Sequence, residues 1–261
     1  MNSILLPALA IGGIGLLFGV LLAIASVIFH VDTDERIPLI EECLPGANCG
    51  GCGYAGCSAL AAAVAAGEAP ADSCTVGGAD VAKKVGEIMG VSTDFVKKVA
   101  TVRCSGTCDK APQKYLYEGL TDCRAAAALS GGPKACAYGC LGLGSCVKKC
   151  PYGALSLKDG VAVVDEEKCM ACGVCVAECP KGLITVDPVD APFQVLCKSH
   201  ASVKDTRAVC SAGCIGCGIC AKICPVDAIT VNESLATINP EKCVGAGCGA
   251  CRDKCPRHII A

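Results

Sequence analysis

The chain has 261 residues, of which 26 are cysteine, and its formal charge at pH 7 is -2. It has no tryptophan and only four phenylalanines and five tyrosines, which argues against a large aromatic core. The near-neutral charge and the lack of a basic run argue against a nucleic-acid-binding protein. So many cysteines indicate either a disulfide scaffold or metal sites.

The first predicted element is an apolar helix over residues 4–29, which carry no charged side chain. At about 1.5 Å per residue this helix is roughly 39 Å long, more than the hydrocarbon core of a bilayer requires. A signal peptide is the alternative, but the segment lacks a basic start and a clear cleavage site. We therefore expect a single-pass transmembrane anchor over residues 1–30. Free thiolates and oxygen-sensitive clusters belong in a reducing compartment, so the remaining chain is expected on the cytoplasmic side of the cell (inner) membrane.

A small all-α domain is predicted over residues 31–100. Its cysteine group comprises Cys49, Cys52, Cys57 and Cys74. Glycines surround the first three, and glycine permits the positive φ angles and close backbone approach that a metal cluster needs. Helices are expected over 58–66, 79–89 and 93–100. This domain is predicted to hold one 4Fe-4S cluster.

An internal repeat organises the rest of the chain. Four times a cysteine run ends in Cys-Pro and is followed by a short apolar strand; the cysteines of these pairs are Cys150, Cys179, Cys224 and Cys255. Each half-unit resembles half of a bacterial two-cluster ferredoxin. The four half-units predict two α+β ferredoxin-like domains in tandem, over residues 101–191 with a cysteine-rich insertion and over residues 192–261.

Two of the runs have the regular spacing of a 4Fe-4S loop. They are Cys169, Cys172, Cys175 and Cys179, and Cys214, Cys217, Cys220 and Cys224. Zinc is the alternative, since paired Cys-x-x-Cys units also form zinc ribbons. Three ligands in one loop and a distant fourth favour the cubane cluster.

The two outer runs are irregular. Their ligand candidates are Cys136, Cys140, Cys146 and Cys150, and Cys243, Cys248, Cys251 and Cys255. In the first run Leu143 occupies the place of the second ligand, and Cys136 is the candidate for the missing thiolate. In the last run four residues instead of two separate Cys243 from Cys248, and their glycines allow them to loop out.

Six cysteines lie outside these sets, namely Cys43, Cys104, Cys108, Cys123, Cys197 and Cys210. One reading is that they are free thiols, which behave as small apolar residues. The other is a further cluster, in which Cys104 and Cys108 form a ligand pair and Cys123, Cys197 and Cys210 are additional candidates. Cys43 is left out. The sequence therefore predicts at least five 4Fe-4S clusters and allows a sixth.

From Leu44 to Cys57 the chain reads Leu-Pro-Gly-Ala-Asn-Cys-Gly-Gly-Cys-Gly-Tyr-Ala-Gly-Cys. With the apolar segment before it and the ferredoxin-like runs after it, this stretch resembles the B-subunit family of Rnf complexes over essentially the whole chain. The segment from Arg103 to Cys150 resembles the form found in anaerobic bacteria. The four-cysteine part alone is also similar to corrinoid iron-sulfur proteins.

The resemblance implies an ion-translocating ferredoxin:NAD+ oxidoreductase, a translocase in which this chain accepts electrons from reduced ferredoxin and relays them to flavin in membrane subunits. Expected partners are the other membrane and cytoplasmic subunits, soluble ferredoxin and the membrane, but not nucleic acid. No catalytic residue is predicted, because the sequence has neither a dinucleotide fingerprint nor a P-loop. The alternative function is a membrane-anchored iron-sulfur redox sensor or assembly protein, which would need only one or two clusters.

The resemblance to two-cluster ferredoxins also implies that the last cysteine of each run completes the other site of its pair. Cys179 is then expected beside Cys136, Cys140 and Cys146, and Cys150 beside Cys169, Cys172 and Cys175. By the same logic Cys255 is expected beside Cys214, Cys217 and Cys220, and Cys224 beside Cys243, Cys248 and Cys251.

Overall fold

The computed structural model describes residues 12–24 and 34–261. Residues 12–24 form a helix, α1, whose large apolar side chains are all exposed. The predicted anchor covers residues 4–29, so both of its ends lie outside the described residues. Within the described ranges, no helix combines the length and the apolar character that crossing a bilayer requires.

Three helices build the N-terminal domain. They are α2 (Arg36–Cys43), α3 (Cys57–Ala65) and α4 (Gly78–Met89). Helix α2 packs against both others, and Ile40, Leu60 and Val85 form the centre of their core. The helices predicted over 58–66 and 79–89 are confirmed. The helix predicted over 93–100 is wrong, because the β-branched stretch from Lys98 to Val102 pairs as a strand.

The first ferredoxin-like unit consists of an outer strand pair and a central hairpin. Strands β1 (Lys98–Val102) and β4 (Ile184–Pro188) pair antiparallel, as do β2 (Leu155–Lys158) and β3 (Val161–Val164). Its helices are α5 (Cys123–Ala128), α6 (Ser145–Lys149) and α7 (Val174–Glu178). The hairpin turn at Asp159 and Gly160 has positive φ at both residues, which matches the twist of the flanking strands.

The second unit repeats this plan in a shorter form. Strands β5 (Ile229–Asn232) and β6 (Leu235–Ile238) form its hairpin. A single bridge between Val195 and Ile260 takes the place of the outer strand pair. Its helices are α8 (Val203–Val209), α9 (Ile219–Lys222) and α10 (Ala250–Asp253), with a 3-10 turn at Gly245–Gly247 before α10.

Four helices, α6, α7, α9 and α10, carry a cysteine at their second position. A glycine in the left-handed region precedes each of them, with φ of 76, 74, 71 and 60° in chain order; these glycines are Gly144, Gly173, Gly218 and Gly249. Each Cys-Pro pair is followed by a tight turn, in which the third residue after the cysteine has positive φ and donates its N–H to the cysteine carbonyl. The fourfold repeat predicted from the sequence is thus a repeat of backbone geometry.

Candidate iron-sulfur centres

Of the 26 cysteines in the described residues, all except Cys43 and Cys108 are assigned to six groups of four. We number them as sites 1 to 6 in the order in which they adjoin one another. Most of their thiols are buried or half-buried, and none forms a disulfide.

Site 1 consists of Cys49, Cys52, Cys57 and Cys74, which line a space of about 320 Å³ in the N-terminal domain. The side-chain oxygen of Asn48 accepts the N–H of Cys57 at 2.8 Å and so fixes the loop at the start of α3. The N–H of Gly77 donates to the sulfur of Cys74 at 3.3 Å. Burial raises the pKa of Cys74, and the other three thiols of the site raise it further.

Site 2 consists of Cys150, Cys169, Cys172 and Cys175. Burial, followed by the neighbouring thiols of Cys172 and Cys169, raises the pKa of Cys175 to about 11. Two backbone N–H groups donate to sulfurs here at 3.4 Å, from Ala100 to Cys169 and from Ala154 to Cys150. The thiol of Cys150 is close enough to Cys172 and Cys175 to raise the pKa of both, so it lies beside the run that follows its own.

Site 3 consists of Cys123, Cys140, Cys146 and Cys179, which line a space of about 380 Å³. Burial, followed by the thiols of Cys140 and Cys123, raises the pKa of Cys146 to about 12. The N–H of Leu183 donates to the sulfur of Cys179 at 3.4 Å. The sequence assigned Cys136 to this site, and the structure corrects that assignment because Cys123 occupies its place.

A hydrogen-bonded link between α5 and α6 explains the position of Cys123. Asp122 caps α5 by accepting the N–H of Ala125 at 2.8 Å, and it also accepts the hydroxyl of Ser145 at 2.9 Å. The Ser145 hydroxyl in turn accepts the N–H of Cys123 at 2.7 Å. Ser145 is buried and directly precedes Cys146, so the link holds the two cysteines on one side of the cavity. Aspartate before an alanine-rich run is a helix-start signal that identifies α5 from sequence.

Site 4 consists of Cys104, Cys136, Cys197 and Cys210, which line a second space of about 380 Å³. Cys104 and Cys136 belong to the first ferredoxin-like unit, and Cys197 and Cys210 to the second. Burial raises the pKa of Cys136, and the thiols of Cys210 and Cys104 raise it further. The five candidates for a further cluster therefore do not lie together. Cys104, Cys197 and Cys210 lie at site 4, and Cys123 lies at site 3. Cys108 is exposed and lies outside all six sites.

Sites 5 and 6 occupy the second unit. Site 5 consists of Cys214, Cys217, Cys220 and Cys255 around a space of about 370 Å³, and burial raises the pKa of Cys220 to about 11. Site 6 contains Cys251 with Cys243 and Cys224 beside it, and the exposed Cys248 is assigned to it from its position in the same cysteine run. Burial raises the pKa of Cys251, with smaller contributions from Cys243 and Cys224. The last cysteine of each run thus lies beside the partner loop in this unit too.

The six sites form a row. Gly51 of site 1 touches the Cys172 backbone of site 2, and Tyr152 lies between these two sites, where burial and then the Cys49 and Cys172 thiols raise its pKa. Cys146 of site 3 lies near Cys175 of site 2, and the N–H of Cys140 of site 3 donates to the sulfur of Cys104 of site 4. The N–H of Cys214 of site 5 donates to the sulfur of Cys197 of site 4. Helices α9 and α10 join sites 5 and 6.

These donor sets fit 4Fe-4S ligation. In sites 1, 3, 4 and 5 four thiols line one pocket, and backbone N–H groups point at the sulfurs of sites 1, 2, 3 and 6. In the part of the chain that the structure describes, no group of three or more His, Cys, Asp or Glu side chains is arranged around a single metal ion.

Two family descriptions match the chain. The one for an "Fe-S cluster" domain matches residues 44–76, which contain site 1. The one for a "4Fe-4S dicluster domain" matches twice, over residues 135–183 and 213–259, and thus once in each ferredoxin-like unit.

Several relatives match the chain over its full length. The B subunit of the ion-translocating oxidoreductase complex of Methanosarcina acetivorans is 46% identical, and the match covers 100% of this chain and 99% of the relative. The chain belongs to the B-subunit family of Rnf-type ion-translocating oxidoreductase complexes. Two further members are named as B subunits of ferredoxin:NAD(+) oxidoreductase complexes, Na(+)-translocating in Acetobacterium woodii and proton-translocating in Clostridium ljungdahlii. They are 48% and 43% identical over 100% of this chain, covering 78% and 93% of the relatives.

Other B subunits match only part of the chain. The Rhodobacter capsulatus relative is 46% identical, but the match covers only 84 residues, or 32% of this chain. Full-length matches come from Acetobacterium, Methanosarcina and Clostridium. The resemblance to the form found in anaerobic bacteria is therefore confirmed.

Proposed function

We propose that this chain is the electron-transfer subunit of a membrane-bound, ion-translocating ferredoxin:NAD+ oxidoreductase complex, and that it relays electrons through six 4Fe-4S clusters. The observation that carries the proposal is the continuous row of sites 1 to 6. A sensor or assembly protein needs only one or two clusters. A relay needs many carriers, each adjacent to the next.

In this proposal the four cysteines of each site are the ligands, and Cys43 and Cys108 remain free. A bound cluster supplies a one-electron carrier whose potential depends on nearby charge, hydrogen bonds and solvent access. The chain contributes the thiolates, the backbone N–H groups that donate to sulfur, and the burial that limits water. Site 4 is the one that joins the two ferredoxin-like units into a single path.

We further propose that electrons from reduced ferredoxin enter the ferredoxin-like units and leave through site 1 toward flavin-bearing membrane subunits. The charge distribution supports this direction. Residues 34–97 contain nine acidic and four basic side chains, whereas residues 98–261 contain 15 acidic and 19 basic ones. An anionic electron donor is attracted to the basic part and repelled by the acidic domain that holds site 1.

The membrane contact of this chain is proposed for residues 4–29, with the cluster-bearing domains on the cytoplasmic side. Helix α1 supports the assignment because its exposed apolar side chains occupy successive positions, including Leu16, Leu17 and Phe18, and so surround the helix axis. A helix that is apolar on all sides is typical of a membrane span or a buried position. This location keeps site 1 close in sequence to the membrane.

Iron analysis of the anaerobically purified chain tests the cluster count. Six clusters require about 24 iron atoms per chain, with a matching amount of sulfide. Electron paramagnetic resonance during titration with reduced ferredoxin should show all clusters becoming reduced. A well-reconstituted sample that holds zinc and eight or fewer iron atoms would contradict the proposal.

A chain that lacks residues 1–30 tests the membrane assignment separately. No cysteine precedes Cys43, so the shortened chain should be soluble, keep its clusters and still accept electrons from ferredoxin. It should no longer support membrane-coupled activity. Loss of the clusters on truncation would show that the N-terminal segment is part of the cluster-bearing fold.

A further inference from the structure

Lys134 is an unusual residue in this chain. Only 5% of its surface is exposed, and it is the one buried charged residue among the described residues. Its ammonium group donates to the carbonyl of Gly106 and lies 3.5 Å from the carbonyl of Gly160. Within the same described ranges it forms no salt bridge.

The Lys134 side chain lies between sites 3 and 4. Its aliphatic part packs on Gly139, where an added Cβ would be 3.1 Å from the Lys134 Cδ and 3.3 Å from the Cys136 Cβ. Gly139 directly precedes Cys140 of site 3, whose N–H donates to the sulfur of Cys104 of site 4 at 3.4 Å.

The acceptor of the Lys134 ammonium also belongs to site 4. An added Cβ at Gly106 would lie 3.5 Å from the sulfur of Cys210 and 3.6 Å from that of Cys104. The carbonyl that binds Lys134 is therefore part of the loop that carries Cys104 and lies beside the sulfur of Cys210. The positive charge thus stands at the one place where the two ferredoxin-like units share a site.

A purely structural role does not require this residue type. Two carbonyl groups can be bridged by a neutral donor, and burying an ammonium without a carboxylate partner is costly. The cost is offset when negative charge lies nearby. The thiolates of sites 3 and 4 supply that charge once clusters are bound, so the position of Lys134 is electrostatically consistent with loaded sites.

We propose that Lys134 is a potential-setting residue that raises the reduction potentials of the clusters at sites 3 and 4. Adding an electron makes a site more negative, and a positive charge nearby stabilises that reduced form. Solvent and salt screen this interaction only weakly, because Lys134 is buried. Lys134 thereby favours electron transfer across the boundary between the two units. This inference rests on the proposed function, because it requires clusters at both sites.

Redox titration followed by electron paramagnetic resonance tests the proposal on the complete chain. In Lys134→Met, which keeps the aliphatic length and removes the charge, the two potentials assigned to sites 3 and 4 should become more negative while the other four stay in place. Lys134→Arg keeps the charge and should restore both potentials. Lys148→Met removes a charge from an exposed side chain on α6, and it should shift no potential comparably, because solvent and salt screen that group.

Iron content separates this inference from the proposed function. If the wild-type chain holds far fewer than about 24 iron atoms, the six-cluster proposal fails first. If wild type and Lys134→Met hold equal iron but have the same potentials, the inference about Lys134 is overturned. If Lys134→Met, Lys134→Arg and Lys134→Gln all lose iron at sites 3 and 4, Lys134 is a structural residue and the inference is overturned as well.

Discussion

The two ferredoxin-like units share one plan. Each contains a central hairpin and two cysteine-bearing helices that begin after a left-handed glycine. The first unit runs from β1 to β4 and the second from Val195 to Ile260. They differ in how they complete their irregular run. In the second unit, all four thiols of site 6 come from the two cysteine runs of that unit. The extra residues of its irregular run form a 3-10 turn. The first unit takes Cys123 from the insertion.

This difference has a consequence for the boundary between the units. Because Cys123 completes site 3, Cys136 is available to join Cys104, Cys197 and Cys210 at site 4. The insertion therefore does more than replace one missing ligand. It turns two separate two-cluster units into one continuous row of sites, in which neither unit alone holds all the cysteines at the boundary.

The largest effect on cluster content is expected from variants that remove the last cysteine of a run, which completes the neighbouring site. Replacing Cys179 with Ala should damage the cluster at site 3 and spare site 2, whose loop adjoins Cys179 in sequence. Replacing Cys150 with Ala should damage site 2 instead. Each variant should lose up to one cluster of six, as measured by iron content and resonance spectra. Damage confined to site 2 in Cys179→Ala would mean that each run binds its own cluster.

The contrast between Cys123 and Cys136 sharpens the comparison of the two units. Cys123→Ala should alter the cluster at site 3, whereas Cys136→Ala should alter the cluster at site 4. Resonance spectra of the two variants should therefore differ from each other. Cys43→Ala and Cys108→Ala are matched controls that should retain all six clusters. Identical spectral losses in Cys123→Ala and Cys136→Ala would contradict the assignment of these two residues to different sites.

The link between α5 and α6 predicts a smaller effect. Ser145→Ala leaves the N–H of Cys123 and the carboxylate of Asp122 without their shared partner, which costs about 1–3 kcal/mol for a buried hydrogen-bonded group. The cluster at site 3 should be lost at a lower denaturant concentration than in wild type. Ser156→Ala changes an exposed serine of β2 and should have no such effect. If both variants lost the cluster at the same lowered denaturant concentration, the hydrogen-bonded link through Ser145 would not explain the position of Cys123.

The contact between the N-terminal domain and the first unit predicts the smallest effect. A methyl group at Gly51 would lie 2.8 Å from the Cys172 backbone, so Gly51→Ala should separate sites 1 and 2. Overpacking of this contact costs about 1 kcal/mol, roughly a fivefold decrease in the equilibrium constant between the docked and undocked states. Stopped-flow reduction of site 1 should therefore slow, by up to about fivefold. Gly247→Ala adds a methyl group where nothing lies within 4 Å, and it should leave the rate unchanged.

The sequence was most informative where a local pattern determines the geometry. The short apolar strands predicted after Cys150, Cys179 and Cys224 are confirmed, whereas the segment after Cys255 forms only a single bridge. Residues 98–100 were misassigned as helix because the strand partner of this segment, β4, lies more than 80 residues further along the chain. Pairing over such a distance leaves no trace in a short window of sequence.

The cysteine sites were likewise predictable only where the spacing pattern is local. The regular runs predict their own three-thiol loops because the spacing is local. Site 4 has no local signature, since its cysteines come from four separate segments and two units. The role of Ser145 was also missed, although the aspartate before the alanine-rich α5 is a readable cap signal. Lys134 could not be recognised from sequence, because only burial distinguishes it from the exposed lysines.

An iron-specific map of the complete chain, from anomalous diffraction or a cryogenic reconstruction under anaerobic conditions, tests the central claim most directly. The account predicts six cluster peaks in one row, with the fourth peak surrounded by Cys104, Cys136, Cys197 and Cys210 at the boundary between the two units. Five peaks with none at that boundary, and Cys136 bound beside Cys140 and Cys146, would contradict it.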